Sequence, residues 1–164
     1  MKQQPVSNRL YALIDLFDMH TTYFNNALAG ISDEDSLNRL GTKANHVAWI
    51  AGSLVQERYE LAGLFGSTLK SSANELFKDH KGIQENAVYP ALDSYQQDWA
   101  EISPILKEYL LKATEEELDR VLEFPGMSFP MYEMVSFQMY REANCIGQIA
   151  LWRRLLGYDA MKYM

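Results

Sequence analysis

The chain has 164 residues, 48% apolar and 23% charged, which suits one domain with a sizeable core. Its net charge is −7, from 15 basic and 22 acidic residues; this disfavours nucleic acid, and Arg153–Arg154 and Lys107 with Lys112 are too sparse to make a basic patch. One cysteine excludes an internal disulfide, no stretch has the length of a transmembrane span, and the start lacks a signal peptide's apolar run, so a cytoplasmic protein with no membrane partner is expected.

Four long segments carry helical periodicity. The first spans about Val6 to Ala29, with Leu10, Ile14, Phe17, Phe24 and Leu28 on one stripe and Gly30 at its C-terminal end. The second spans about Thr42 to Phe65, with Thr42 as the expected N-cap and Val47, Ile50, Leu54 and Leu61 as its apolar face. Ser67 to Pro90 has weak periodicity and reads as a long crossover with one helical turn near Asn74–Lys78. The third spans about Ala91 to Lys112 and contains Pro104, which predicts a kink near Asp98–Ala100.

Thr114-Glu115-Glu116-Glu117 has the pattern of a capping box opening a short turn before the Phe124-Pro125-Gly126 break. The fourth helix spans about Pro130 to Leu156, with Gly157 beyond it. Met131, Val135, Phe137, Ile146, Ile149 and Trp152 spread apolar character over most of its circumference, which predicts the most central helix. The sum is an all-α chain, residues 1–164 as a single domain, folded as a four-helix bundle with one long crossover connection.

Three segments carry a resemblance. They are Asn45-His46-Val47-Ala48-Trp49-Ile50-Ala51-Gly52, the acidic Glu115-Leu118-Asp119 stretch, and Glu142-Ala143 with Gly147-Gln148-Ile149 and Arg153-Arg154-Leu155-Leu156-Gly157. Together they resemble the DinB/YfiT-like proteins, whose last helix usually reads His-Glu-Ala-x-His-x-Gly-Gln-Ile. The resemblance implies a bundle pocket in which a second-helix histidine faces the last-helix pair, with nickel or zinc bound in many members. It also implies homodimers and, in a subset, transfer of a metal-activated thiol to an electrophile. His46 matches the second-helix histidine, but Arg141 and Cys145 stand where the last-helix pair belongs.

Each candidate residue has a structural and a chemical reading. His46 lies in line with Ile50, Ser53 and Glu57, a polar seam that suits either a metal ligand or a satisfied, partly buried histidine. Arg141 and Cys145 are four apart and share a helix face. A guanidinium has no lone pair to donate, so Arg141 is either an internal ion pair with Glu57 or Glu142 or a clamp for an anionic substrate. Cys145 is either a small buried hydrophobe or a thiolate favoured by Arg141. Gly147 allows close helix packing, Gln148 reaches across the bundle or into solvent, and His20 is an outside candidate for the same pocket.

The expected pocket is therefore His46, Glu57, Arg141 and Cys145. Its degenerate metal site has only His46 and Cys145 as donors, too few for a catalytic zinc site. No cofactor is expected, with zinc or nickel as the alternative, and no catalytic residue can be assigned. The leading reading is a DinB-like protein that has lost its metal and keeps a pocket for a small molecule. The rivals are a metal- and thiol-dependent S-transferase and a dimeric interaction module without catalysis.

Overall fold

The computed structural model describes residues 3–164 and is mostly helical. Its elements are α1 (Tyr11–Leu28), α2 (Asp33–Ser36), α3 (Val47–Leu64), α4 (Asn74–Phe77), α5 (Leu92–Lys112), α6 (Glu115–Asp119), β1 (Val121–Phe124), β2 (Met127–Pro130) and α7 (Met131–Leu155). The four long helices close a ring: α3 lies between α5 and α7, and α1 packs against the same two from the other side. Their apolar faces meet in one continuous core that includes Phe17, Phe24, Leu54, Trp99, Ile102 and Ile149. No helix among the described residues is long and apolar enough to cross a membrane.

The expected ends of the long helices hold to within a few residues, with two informative shifts. α3 starts at Val47, not near Thr42, because His46 is its N-cap: the Trp49 backbone N–H donates to His46 Nδ1 at 3.0 Å. The Thr42 hydroxyl instead donates to the Arg39 carbonyl and accepts from Ala44 N–H, closing a turn before the helix. Pro130 is the N-cap of α7 and not its first helical residue. The predicted capping box at Thr114 and Glu117 is present in full.

α5 continues through Pro104 as one helix, and two other expectations fail for physical reasons. The carbonyl that the proline leaves without its helical donor belongs to Ala100, which is exposed and can be hydrated. The segment before α7 is not a plain break but a two-stranded antiparallel hairpin pairing Val121 with Pro130 and Phe124 with Met127. Its turn is Pro125–Gly126, with Gly126 at φ 82°, a conformation glycine adopts without a Cβ clash. Four-residue strands give too little alternation to register as a pattern.

The second of these corrections concerns the most central helix. Thirteen of the eighteen residues of α3 are buried, against ten of twenty-five in α7, so α3 is central. Of the apolar residues that made α7 look enclosed, Phe137 is exposed, and Tyr140, Leu151 and Leu155 are exposed on the same helix. The crossover is fastened by α4: Phe77 is buried, and its ring lies where a Cβ on Gly52 would be, so the missing side chain makes its seat on α3.

Candidate functional site

Two arginine–glutamate pairs join α3 to α7, one residue apart on each helix. The inner pair is Arg58 with Glu142, both fully buried. Arg58 Nε and Nη2 donate to Glu142 Oε1 and Oε2 at 2.6 and 2.8 Å, a bidentate fork. Arg58 Nη1 donates to Thr21 on α1 (2.9 Å) and Ser103 on α5 (2.7 Å). The guanidinium is sandwiched between the rings of Trp99 (3.5 Å) and Phe17 (3.9 Å).

Glu142 also meets His20 Nδ1 at 3.1 Å and accepts from Gln138 at 3.2 Å. The cluster thereby ties all four long helices together. Burial alone would push the Glu142 carboxyl up; the charge and hydrogen bonds of Arg58, with His20 and Gln138, hold it down to about 2. His20, the outside candidate for the pocket, is spent here.

The outer pair is Glu57 with Arg141. Arg141 Nε donates to Glu57 Oε1, and its Nη2 donates to Ser53 Oγ at 2.7 Å. Both side chains are only partly covered, at 22% and 28% exposure. They form part of the wall of a cavity of about 640 Å³, bounded by α3, α7, the hairpin and the crossover, with aromatic sides from Trp49, Tyr59, Phe77, Phe124 and Phe137. Two of the wall residues, Glu57 and Trp49, each bury one polar atom, Oε2 and Nε1, without a hydrogen-bond partner. Burial pushes the Glu57 carboxyl up to about 7, and the opposing pull of Arg141 does not offset it.

Of the four pocket residues expected from sequence, Glu57 and Arg141 line this cavity; His46 and Cys145 do not. His46 is held at the start of α3, with its ring edge-on to Tyr89 at 4.8 Å. Burial lowers its pKa, and the charge of Arg39 lowers it further. With Nδ1 accepting from Trp49, the neutral ring carries its proton on Nε2. Cys145 is buried one turn beyond Arg141; burial pushes its thiol up, and the pull of Arg141 does not reverse this. It is thus a small buried hydrophobe and not a poised nucleophile.

The donor set does not fit a divalent metal. Among the described residues, no three His, Cys, Asp or Glu side chains cluster closely enough to hold an ion. The Nδ1 lone pair of His46 is used by the cap, the thiol of Cys145 resists deprotonation, and Arg141 brings a fixed cation.

Other sequence candidates have structural roles. Gly147 is exposed and touches nothing that a Cβ would meet, so it is not a close-packing contact. Gln148 donates to Asn144 on the surface. Arg153 is buried and caps the end of α1, donating to the Ala27 carbonyl at 2.7 Å. Arg58 was missed altogether. Its signal was present: it is the one charged residue in the α3 stripe Ala51, Leu54, Arg58, Leu61, as Glu142 is among Val135, Met139, Ile146 and Ile149 on α7.

No family model matches the sequence, and no curated protein matches it. Among solved structures, a conserved protein from Enterococcus faecalis superposes with a TM-score of 0.68 over 90% of this chain and 96% of that one, at 13% identity. At that identity the likeness is one of fold.

Proposed function

We propose that this chain is a DinB-like four-helix bundle whose metal site has degenerated and whose function is to bind a small organic molecule against Glu57 and Arg141. The carrying observation is the cavity, two of whose wall residues, Glu57 and Trp49, each bury a polar atom without a partner. A buried polar group without a hydrogen bond costs about 1–3 kcal/mol, and a ligand that supplies the missing partner after a small turn of the side chain recovers it. The implied partners are a small molecule and a second copy of the chain, with neither nucleic acid nor membrane, in the cytoplasm.

The test is a thermal-shift screen of small organic molecules against the natural protein and Gly63→Trp. Gly63 is exposed on the cavity wall with open space around its Cα, so the added indole fills the cavity without entering the core. Compounds that raise Tm in the first protein and not in the second support the reading. A screen in which the two proteins respond alike overturns it. Stoichiometric zinc or nickel, lost on His46→Ala, would favour the S-transferase.

A homodimer has its own support. Phe137, Tyr140, Gly147, Leu151 and Leu155 form an exposed stripe along the outer face of α7. Leu151→Glu should dissociate such a dimer in analytical ultracentrifugation, and a natural protein that sediments as a monomer at high concentration would exclude it.

A further inference from the structure

We infer that the ligand of this cavity is a carboxylic acid with an apolar body, held as the anion by Arg141 while Glu57 takes up a proton and donates it as a hydrogen bond to the ligand's carboxylate. The inference rests on the small-molecule reading above and names its ligand class.

Four observations point to it. The Arg141 guanidinium is committed only in part: Nε serves Glu57 and Nη2 serves Ser53, while Nη1 makes no hydrogen bond among the described residues. An open guanidinium edge matches a carboxylate. Glu57 Oε2 is buried and has no partner; as a carboxylate oxygen it can only accept, but once protonated it becomes a donor, and a second carboxylate on Arg141 is the acceptor it meets when the Glu57 carboxyl turns towards the cavity. The local charge is favourable: Lys70, Lys81 and Arg141 against Glu57 and Glu60 make the wall +1 (three minus two), in a chain of net charge −7. The remaining walls are aromatic and aliphatic, which calls for an apolar ligand body.

The proton balance is simple. The ligand enters as its anion, one proton comes from solvent, and Glu57 passes from carboxylate to carboxylic acid; no other bond changes. Two carboxylates on one guanidinium cannot both stay ionised cheaply, so the second takes the proton. Glu57 is already poised for this, its carboxyl having been pushed up to about 7 by burial. The charges that bear on it are Arg141 and Glu142 on α7 and Glu60 on its own helix; Lys70, His80 and Lys81 come from the crossover, and the Cys145 thiol lies beyond Arg141. His80 is the other wall side chain whose part in any proton uptake must be told apart from that of Glu57.

Isothermal titration calorimetry with naphthylacetate and its neutral isostere naphthylacetamide tests the inference. Titrations run at pH 6 and pH 8, each in two buffers of different ionisation enthalpy, so that protons taken up are counted. Only the protonated fraction of Glu57 is competent, so naphthylacetate should bind about tenfold more weakly at pH 8 than at pH 6, with close to one proton taken up at pH 8. The amide should bind at least about tenfold more weakly than the acid at pH 6, having no charge for Arg141.

In Glu57→Gln the acid should bind alike at both pH values with no proton uptake. In Arg141→Met the preference for acid over amide should vanish. His80→Asn should leave the proton uptake in place. If the amide binds as well as the acid and Gly63→Trp blocks both, the carboxylate inference falls while the small-molecule reading stands. If proton uptake persists in Glu57→Gln, or disappears in His80→Asn, the role given to Glu57 falls. If neither probe binds at millimolar concentration, the inference falls, and the thermal-shift screen decides the broader reading separately.

Discussion

The two arginine–glutamate pairs between α3 and α7 share helices, level and residue types, yet they reach opposite states. In the inner pair every guanidinium nitrogen is used, and the Glu142 carboxylate accepts from Arg58 and Gln138 and meets His20. Its carboxyl is held at about 2 although it is fully buried. In the outer pair one carboxylate oxygen has no partner, and the Glu57 carboxyl rises to about 7 although it is less buried. A nearby opposite charge does not by itself decide ionisation. At Glu142 the charge of Arg58, joined by hydrogen bonds from Arg58, His20 and Gln138, outweighs burial, whereas at Glu57 burial outweighs the charge and the single hydrogen bond of Arg141. The sealed pair holds the structure together, and the unfinished pair is left for chemistry.

The comparison breaks most visibly at the inner pair. Arg58→Met leaves a buried carboxylate unpaired and should cost about 3–5 kcal/mol, read as a lower urea midpoint at pH 7. Adding Glu142→Leu removes the orphaned charge and should recover much of that loss. The same pair sets an acid limit. The folded pKa of Glu142 is depressed, so its contribution is present above about pH 4.5 and is lost as pH falls towards 2. A natural protein whose stability stays flat from pH 5 to pH 2.5 would show that the fork is not holding Glu142 in its ionised form.

The outer pair has the opposite sign. The folded pKa of Glu57 is raised above its ordinary value, so the folded state binds more protons than the unfolded state between about pH 4.5 and pH 7. Stability is therefore lost as pH rises through that window. Glu57→Gln imitates the neutral acid. It should match the natural protein at pH 5 and be more stable at pH 8, by up to about 3 kcal/mol. Equal urea midpoints at pH 8 would mean that Arg141 compensates fully for the burial of Glu57.

Much of this fold was legible in the sequence, and the reasons are local. Four amphipathic stripes, the Thr114 capping box and the turn at Asn74–Phe77 all follow from residue spacing and cap chemistry. That Arg141 pairs with either Glu57 or Glu142 was legible because a partly buried arginine needs an acid; which of the two it takes, Glu57, was not. What spacing does not carry is the rotation of one helix against another. Phe137 looked like core because its own helix gives no sign of where its neighbours end. Arg58 was overlooked because a single charge on an apolar stripe looks like an exception to the pattern. Here it is the point on which all four helices converge. His46 looked like a ligand because it matches the second-helix histidine of the resemblance and shares a seam with Ser53 and Glu57, a spacing that does not reveal its ring accepting from Trp49 N–H.

A smaller effect is expected where the crossover borders the cavity. Phe77 both lines the pocket and fills the space over Gly52. Gly52→Ala puts a methyl group into that ring and also crowds Tyr95, so Phe77 must move. Overpacking of this kind costs about 1–3 kcal/mol, more than the gain in helix propensity that alanine brings. Because the displaced ring is a wall of the outer site and not of the inner cluster, Gly52→Ala should also weaken ligands found in the screen. The pH 5 to pH 2.5 stability profile set by Glu142 should stay as it was. A thermally stabilised Gly52→Ala protein would mean that α4 is not seated on α3 as described.

The smallest effect separates the two faces of α7. Gly147 lies in the helix between buried Ile146 and exposed Gln148, and its own position is open: a Cβ built there meets no atom within 4 Å. Its backbone is helical and not in the left-handed region, so alanine adopts it without strain. A glycine needed for close packing would make Gly147→Ala destabilising by overlap. A glycine on an open face makes it stabilising, because alanine has less unfolded-state freedom to lose and a better helix propensity, by about 0.5–1 kcal/mol. The expected outcome is a small rise in Tm at a dilution where any dimer has dissociated. At high concentration the sign becomes informative about the outer face. If a second copy packs its backbone against Gly147, the added methyl should lower Tm as concentration increases, and the gain seen in dilute solution should reverse.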